Sequence, residues 1–554
     1  MTRVADAVIV GSGAGGGPLA LVLAEAGLDV VVLEKGPRHT REEYAPDELA
    51  VLGRRFLVPD LAGDPHTVVT RTTTKPQRTD LGWIACCVGG GTVHMGSFLY
   101  RFHPDDFRMR SRFGPYLELA DWPYGYDELE PWYGRAEREV GVSGQAGANP
   151  FEGPRSRPYP LPPLDAHPLA VPLAQACRQR GLHPFPTPRG INSRPYGGRP
   201  ACAYCTACAS YGCRTGAKGS SQEALLPRAE ATGHCEVRPR SAVREVTVDR
   251  AGRATGCVYL DEEGREHEVR ARVVCVAASA VESARLLLLS RSPRFPDGLA
   301  NGSGLVGRHL QFHGVTMGQA TFRRGLRNDR SRNLPLDVGL PFLGVSAMDH
   351  YFLPEGVAEI AKGGLLRWDL GVDTPLAAAQ GVAFGTGGTP LWGAALRDRL
   401  REHFADSRTA MVEVFHDFLP NPDTFVELDP EVRDRRGLPV ARIHLDLPAH
   451  HARAGRWVLD RAFEVFADLG AEDLQAGPVG GTSAYLVHGT CRAGHDPETS
   501  VLDPFCRAHE LPNLYVVDGS FLPTSGGAPA TLTILANSFR TAEHIAERFR
   551  AGEL

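Results

Sequence analysis

The feature that most constrains the fold is a glycine-rich turn close to the start of the chain. Residues 7–10 form a short apolar run typical of a buried parallel strand, and the glycine-rich segment GSGAGG (residues 11–16) follows directly. Apolar residues with helical spacing come next and end at Gly27, before a second apolar run at residues 30–33. The segment therefore predicts a strand–turn–helix–strand unit of the dinucleotide-binding kind.

In this unit the pattern G-x-G-x-x-G has a physical purpose. The first glycine allows the tight turn, the second lets the backbone approach a pyrophosphate, and the third lets the helix lie close to the strand. The helix N-terminus adds free N–H groups and a positive dipole end. Glu34 ends the second strand, where it can accept hydrogen bonds from an adenosine ribose. The residues expected to hold the dinucleotide here are Gly11, Gly13, Ala14, Gly16 and Glu34.

Length, charge and hydropathy narrow the class of protein. A chain of 554 residues exceeds one ordinary hydrophobic core, so two or more domains are expected. The net charge of -5 argues against a nucleic-acid partner, and no apolar run approaches the length of a transmembrane helix. Because the sequence enters its first strand without a signal peptide, we expect a cytoplasmic protein. Periplasmic location, through export with a partner that carries the signal, is the alternative.

The rest of the chain predicts further elements. Residues 36–80 are polar and contain prolines, which favours surface loops. A helix is expected over residues 121–135, and the Pro- and Gly-rich residues 146–200 are expected to be irregular. The other expected elements are three antiparallel strands within 234–278, a helix over 281–290, an antiparallel sheet within 314–448, an amphipathic helix ending at Gly470, a strand over 514–517 and a C-terminal helix over 531–549.

Six stretches, in this order, are similar to the glucose–methanol–choline (GMC) family of flavin oxidoreductases, and the resemblance covers essentially the whole chain. They are VIVGSGAGG with Glu34, VGGGTVHMGS, ASAVESARLLLLS, GLVGRHL, HGTCRAG and NLYVVDGSFLPTSGG. Within the family, the chain most resembles the sugar and sugar-acid dehydrogenases, such as the gluconate and glucose dehydrogenase large subunits. The stretches behind this narrower resemblance are WPYGYDELEPWY, NPFEGPRS and CAYCTACASYGCRTGAKGS.

The resemblance implies a Rossmann-like FAD-binding domain and a substrate domain built on an antiparallel sheet. The FAD-binding domain would be discontinuous and comprise residues 1–120, 190–318 and 488–554. Residues 121–189 would form an irregular segment over the cleft, and residues 319–487 the substrate-binding domain. Beyond the first glycine turn and Glu34, the implied FAD contacts are Gly90, Gly91, Thr92 and Val93 at the flavin ring, Val243 at the adenine, and Asp518 and Gly519 at the pyrophosphate or ribityl chain.

The catalytic residues depart from the family pattern. Oxidising an alcohol requires hydride transfer to flavin N5 and removal of the hydroxyl proton, for which a neutral histidine is a suitable base. Family members have a histidine three residues before the glycine of a Gly-Thr pair, where this chain has Leu486, and a second His or Asn where it has Pro529. The nearest histidine is His488. We predict His488 as the base, with His495 or Asn537 as its partner.

A cysteine cluster follows the irregular segment. Its spacing, Cys202-x2-Cys205-x2-Cys208-x4-Cys213, is close to that of ferredoxins, in which thiolates hold an iron–sulfur cluster. Related sugar dehydrogenases are thought to carry such a cluster in this region as a relay from the flavin. Four thiolates could equally hold zinc, and structural cysteines without metal are the third alternative.

These features together predict an FAD-dependent oxidoreductase. Its substrate would be a small molecule with a hydroxyl group, on a sugar, sugar acid or other polyol, and its electrons would pass to an acceptor other than oxygen. The resemblance also implies a small partner subunit and an electron-transfer protein. The alternatives are an alcohol oxidase that makes hydrogen peroxide, and a flavin-containing lyase or catalytically silent relative, which the residues at 486 and 529 keep open.

Overall fold

A computed structural model gives the fold of this chain. It describes residues 4–44, 47–49, 57–205, 208–323, 341–370, 375–384, 389–478 and 481–554. The strands are β1 (Ala5–Val10), β2 (Val30–Leu33), β3 (His66–Thr70), β4 (Thr73–Thr79), β5 (Phe185–Pro186), β6 (Cys235–Arg238), β7 (Ala242–Val248), β8 (Ala254–Leu260), β9 (Glu266–Val276), β10 (Gln311–Arg323), β11 (Val345–Ala347), β12 (Gly364–Leu370), β13 (Ser407–His416), β14 (Phe425–Arg433), β15 (Pro439–Leu445), β16 (Asp473–Ala476), β17 (Gly481–His488) and β18 (Leu514–Val516).

The helices cover the sheets and connect them. They are α1 (Gly16–Glu25), α2 (Met109–Phe113), α3 (Tyr126–Val140), α4 (Ala170–Gln179), α5 (Ser221–Ala224), α6 (Leu226–Ala231), α7 (Ala280–Leu289), α8 (Pro375–Phe384), α9 (Gly393–Arg401), α10 (Ala449–Asp468) and α11 (Thr531–Arg550). Of these, α1 packs against the C-terminal helix α11, which also packs against α3. Among the described residues, no helix is long and apolar enough to cross a membrane.

The first sheet confirms the predicted Rossmann-like domain. Its strand order is β6-β2-β1-β9-β8-β7, and β18 pairs with β9. β1 lies parallel to both β2 and β9. Parallel strands of this kind are covered on both faces, and Val8 and Ile9 of β1 are accordingly fully buried. The segment predicted as three antiparallel strands is partly different, since β6 lies parallel to β2 at the sheet edge. Only β7, β8 and β9 form the antiparallel part.

The second sheet contains part of the antiparallel sheet expected within residues 314–448, whereas β14 and β15 from that range pair in a different sheet. Its order is β16-β10-β13-β12-β11-β5, with β17 paired to β10. Alternation along β13 separates two environments. Val412 and Val414 are fully buried in a core shared with α10, whereas Glu413 and Phe415 point into a large cavity. One face of this sheet is therefore available to a ligand.

Two local predictions were wrong. Residues 66–79, expected to be surface loops, form β3 and β4, which join β15 and β14 in a third sheet of order β14-β15-β3-β4. The Pro- and Gly-rich region expected to be irregular contains α4, with an apolar side that packs against α10. In both cases, tertiary pairing with a distant segment stabilises an element that its local composition does not favour.

A buried ionic cluster ties the FAD-binding part of the chain to the second sheet. Lys362 Nζ lies 2.7 Å from Asp106 Oδ1 and 3.2 Å from Asp417 Oδ2. Tyr351 donates a hydrogen bond of 2.6 Å to Asp106 Oδ2. The side chains of Lys362, Asp106 and Asp417 are all 0–1% exposed. One ammonium between two carboxylates makes each of the three dependent on the others.

Replacing Lys362 by methionine should destabilise the protein strongly. Two carboxylates would be left buried without a counter-charge, and breaking a buried pair in this way costs about 3–5 kcal/mol. The measurement is the thermal unfolding midpoint of the holoenzyme. Lys75→Met, at an exposed lysine on β4, is the matched control, and adding Asp417→Asn to Lys362→Met should recover part of the loss. Equal midpoints for Lys362→Met and Lys75→Met would contradict this expectation.

Candidate active site

A cavity of about 1040 Å³ lies between the first sheet and the open face of the second. One end is walled by the turn after β1, the end of β2 and the start of α7, and the other by β10, β13 and β17. A cavity of this size and position is typical of a cofactor and substrate site. Of the predicted FAD residues, those that line it are Gly11, Gly13, Ala14, Glu34, Gly90, Gly91, Thr92, Val243, Asp518 and Gly519.

The first glycine turn shows why side chains are excluded. A Cβ on Gly11 would lie 2.3 Å from the carbonyl oxygen of Ala277, and one on Gly16 would lie 2.0 Å from that of Gly11. Neighbouring backbone atoms therefore leave no room for a side chain at Gly11 or Gly16. At Gly13 a Cβ would make only ordinary contacts, with Gly90 Cα at 3.7 Å and the carbonyl oxygen of Gly89 at 3.9 Å. The space beside Gly13 opens into the cavity, as close approach of a pyrophosphate requires.

Glu34 lies at the end of β2 and belongs to the cavity wall. Its Oε2 accepts hydrogen bonds from the backbone and hydroxyl of Ser12, at 3.2 and 2.6 Å, and its Oε1 accepts one from the Gly36 N–H. Ser12 Oγ also accepts a hydrogen bond from the Gly89 N–H. Burial raises the pKa of Glu34, and these hydrogen bonds oppose that rise. Ser12 thus connects the dinucleotide turn, the Glu34 carboxylate and the second glycine loop, residues 89–91.

Hydrogen bonds stabilise the second glycine loop on the side away from the cavity. Gly89 has a φ of +91°, and Thr92 Oγ1 donates to its carbonyl oxygen at 2.6 Å. The predicted contact Val93 does not line the cavity; its carbonyl oxygen accepts a hydrogen bond of 3.1 Å from the buried ammonium of Lys218. Lys218 also donates to the carbonyl oxygens of Cys208 and Tyr211. The loop therefore presents bare backbone to the cavity, which suits a flat ring system.

Asp518 closes the wall on the opposite side. Its Oδ2 accepts a hydrogen bond from the Ser279 N–H at 3.0 Å, and its Oδ1 accepts one from the Ser520 N–H at 2.8 Å. Ser279 adopts a φ of +79°, an unusual conformation for a residue with a side chain. The carboxylate fixes the backbone where α7 begins, and that backbone lines the cavity. The residues present thus fit an extended dinucleotide from the adenosine end to the flavin end.

His488 ends β17 and faces the cavity. Its side chain is buried, and burial lowers its pKa to about 3. Neither ring nitrogen has a hydrogen-bond partner among the described residues. Leu486 and Pro529, which stand at the family's usual catalytic positions, line the same cavity. At neutral pH, His488 is therefore an uncharged imidazole with one ring nitrogen able to accept a proton.

The comparisons with known sequences agree with this geometry. The sequence matches the GMC oxidoreductase family over residues 71–315 and 420–538, and an FAD-binding domain over residues 6–42. The chain belongs to the GMC oxidoreductase family. It is thus an FAD-dependent oxidoreductase of the type that acts on CH–OH groups of alcohols and sugars.

Relatives extend over nearly the whole chain. Paromamine 6'-oxidase of Streptomyces fradiae is 34% identical, over 98% of this chain and 92% of its own length. 2-Methyl-1,2-propanediol dehydrogenase of Mycolicibacterium austroafricanum is 32% identical, over 98% and 95%. The fructose dehydrogenase large subunit of Gluconobacter japonicus is 28% identical, over 100% and 99%. The predicted resemblance to sugar dehydrogenase large subunits is confirmed by this last relative.

Solved structures share the fold. Pyridoxine 4-oxidase from Mesorbium loti superposes with a TM-score of 0.62 at 20% identity, covering 98% of this chain and 99% of that one. At this level of identity the comparison concerns architecture. It supports the arrangement of an FAD-binding domain beside an antiparallel sheet.

The structure does not bring the predicted partners of His488 to the GMC site. Asn537 is buried within α11, where its Oδ1 accepts a hydrogen bond from Tyr124 at 3.0 Å and its amide contacts Cys506 Sγ. The ring of His495 is hydrogen-bonded through Nε2 to the carbonyl oxygen of Pro123, at 3.0 Å. Neither residue lines the cavity. Any residue that assists His488 has to be found elsewhere.

The cysteine cluster is not arranged as a metal centre. Cys202, Cys208 and Cys213 are free thiols, and Cys205 is exposed. Among the parts of the chain that the structure describes, no group of three or more His, Cys, Asp or Glu side chains could hold a metal ion. The geometry therefore gives no support to iron–sulfur or zinc in this GMC protein. The loop does reach the flavin end of the cavity, since Ser210 N–H donates to the carbonyl oxygen of His94.

Sequence reasoning missed three groups that shape the site. Ser12 lies inside the glycine pattern at a position that the pattern leaves free, so its bridging role leaves no signal there. Lys218 acts through backbone carbonyls, which sequence does not reveal. His313 lies within the GLVGRHLQFH segment, part of which carried the GMC resemblance, and its histidine could have been singled out.

Glu34→Ala should weaken FAD binding by at least about tenfold. The substitution removes a buried carboxylate from the wall, and hydrogen bonds to a charged group contribute about 1.5–3 kcal/mol. The measurement is the dissociation constant of FAD from fluorescence titration of the apoprotein. Glu25→Ala, at the exposed end of α1, is the control and should bind FAD normally. If both variants bind FAD equally well, Glu34 does not hold the cofactor.

The protein should lose stability as pH falls below 6.5. Burial lowers the pKa of several histidines, so the folded state leaves them neutral while the unfolded chain binds protons. Their contribution is intact above pH 6.5 and is lost progressively as pH falls toward 3–4. The histidines with a lowered pKa and a buried side chain include His309, His313, His416, His450, His451 and His488.

The check is the thermal midpoint measured between pH 7.5 and 5. His416→Gln removes one of these protons, so its midpoint should fall less steeply with decreasing pH than that of the unmodified protein. One histidine corresponds to about 1.4 kcal/mol per pH unit below pH 6.5. A midpoint that does not change between pH 7 and 5 would contradict the expectation.

Proposed function

We propose that the protein oxidises a hydroxyl-bearing carbon of a sugar, sugar acid or related polyol, and passes the electrons to an acceptor other than oxygen. The observation that carries the proposal is His488, a buried and neutral histidine on the wall of the cavity beside Gly519 and Pro529. A neutral imidazole can take the hydroxyl proton of an alcohol. Bound FAD would supply the two-electron acceptor for the carbon.

The chain's own residues suit a polar substrate held against an apolar wall. Val315, Met317 and Phe415 exclude water from this end of the cavity, and Leu486 and Pro529 add to the apolar surface. Burial against this apolar wall keeps the ring of His488 neutral, with one nitrogen able to accept the substrate proton.

One carboxylate from the second sheet faces the same end of the cavity. Glu413 accepts a hydrogen bond from Arg367 Nε at 3.1 Å, so its charge is balanced. Its remaining lone pairs can accept hydrogen bonds from substrate hydroxyl groups. A balanced carboxylate suits a neutral polyol better than a strongly charged ligand, and we propose Glu413 as a substrate contact.

The acceptor and the partner are inferred from named relatives. One relative is named a dehydrogenase and another is named a large subunit, which supports a non-oxygen acceptor and a small partner subunit here. A second candidate function is oxidation of the same substrate class with oxygen as acceptor. The 34% identical relative named an oxidase favours it.

The test is anaerobic mixing of the FAD-loaded protein with a panel of sugars, sugar acids and polyols. At least one should bleach the flavin absorbance, and His488→Asn should slow bleaching by at least about 100-fold. His495→Asn, at a histidine away from the cavity, should behave like the unmodified protein. Oxygen consumption with the active substrate distinguishes the oxidase from the dehydrogenase. A flavin that no member of the panel reduces would refute the proposal in favour of a lyase or a silent relative.

A further inference from the structure

Two buried histidines meet at the junction of β10 and β17. His313 lies on β10 and is fully buried, and His488 ends β17, which pairs with β10. Their ring centroids are 5.9 Å apart and the rings are nearly perpendicular, at 87°. The pairing of the two strands is irregular between Phe312 and His313. His488 lines the cavity and His313 does not, so His313 lies behind His488 as seen from the substrate.

Neither ring has a hydrogen-bond partner in the described part of the chain. Both nitrogens of His313 and both nitrogens of His488 are buried without one. Buried polar groups are nearly always hydrogen-bonded, and a buried donor or acceptor without a partner lowers the stability of the fold by about 1–3 kcal/mol. Four such nitrogens in one place are therefore costly to stability. Each neutral ring has one donor and one acceptor, so a rotation of the rings would allow one N–H···N hydrogen bond between them.

The surroundings of His313 keep it in the form that accepts a hydrogen bond. Burial, together with the nearby His488, His416 and the Lys362 ammonium, lowers its pKa well below the ordinary value. The remaining ring neighbour is Phe415, whose edge meets His313 at a centroid distance of 5.7 Å. His313 therefore stays neutral and keeps a lone pair beside His488.

The proposed reaction creates a need for such a lone pair. When His488 takes a proton from the substrate hydroxyl, it becomes a buried cation, and a buried charge is costly unless it is paired. A hydrogen bond from a charged donor is about twice as strong as a neutral one. An uncharged acceptor at position 313 would stabilise the imidazolium without holding a permanent counter-ion in the dry cavity.

We propose that His313 is a positioning residue that acts through His488. This inference rests on the proposed function. In the proposed arrangement, the rings turn so that His313 accepts a hydrogen bond from the ring N–H of His488 that does not face the substrate, and this bond fixes the tautomer and orientation of the base. When the hydroxyl proton arrives on the other ring nitrogen, the same hydrogen bond becomes charge-assisted. No covalent bond forms or breaks at His313.

The test compares His313→Leu, which removes the acceptor, with His313→Gln, which retains one. The rate of anaerobic flavin reduction by the active substrate should fall at least tenfold in His313→Leu, with the substrate dissociation constant within twofold of normal. His313→Gln should recover the rate to within threefold. His451→Leu, at another fully buried histidine on α10, controls for the general effect of losing a buried imidazole and should reduce the rate less than threefold.

A second measurement does not depend on turnover. Nitrogen-15 NMR of the histidine-labelled, FAD-loaded protein, with the His488 signal assigned through His488→Asn, should show one tautomer of His488 in the unmodified protein. Both tautomers should appear in His313→Leu. Four results would each overturn the role of His313. Two concern His313→Leu: a single, unchanged tautomer of His488, or a rate of flavin reduction within twofold of normal. The other two are a rate that His313→Gln does not restore, and a loss of rate in His451→Leu equal to that in His313→Leu. If the unmodified protein is not reduced by any alcohol, the proposed function fails instead, and the NMR result still decides whether His313 orients His488.

Discussion

The structure depends on the close approach of backbone segments that carry no side chains where they meet. The turn after β1 contacts the carbonyl oxygen of Ala277 so closely that Gly11 cannot be replaced without movement of the backbone. The second glycine loop lies against the same turn, with Gly90 beside Gly13. A Cβ on Gly15 would in turn lie 2.8 Å from the carbonyl oxygen of Val517. Four segments far apart in sequence thus meet at one wall of the cavity.

Polar side chains act on this wall through the backbone. Ser12 joins Glu34 to Gly89, Asp518 holds the start of α7, and Lys218 holds the carbonyl oxygen of Val93. Ser12 and Asp518 themselves line the cavity, whereas Gly89 of the second glycine loop and the nearby Val93 lie just outside its lining. The same principle operates in the ionic cluster around Lys362, which locks the second sheet against the cofactor side.

The sequence was sufficient for those parts of the protein that depend on local pattern. The apolar runs of β1 and β2, the glycines between them and the spacing of α11 each carry their own signal, so the FAD-binding unit could be predicted. β3 and β4 could not, because they are stabilised by pairing with β15 far along the chain. For the site, His488 was found because it adjoins a recognisable Gly-Thr pair. Its surroundings depend on how β10 and β17 pair, which no local pattern shows.

The pairing of β10 with β17 has a consequence for substrate handling. Gln311 on β10 pairs with His488, and the same strand carries Val315 and Met317 of the apolar wall. The proposed proton acceptor and the proposed substrate surface therefore belong to a single hydrogen-bonded ladder. The N–H of Gly489, next to His488, donates to the carbonyl oxygen of Gly519 on the cofactor side of the cavity. The ladder is thus anchored to the FAD-binding part, and a displacement of the imidazole relative to the cofactor would have to break this contact.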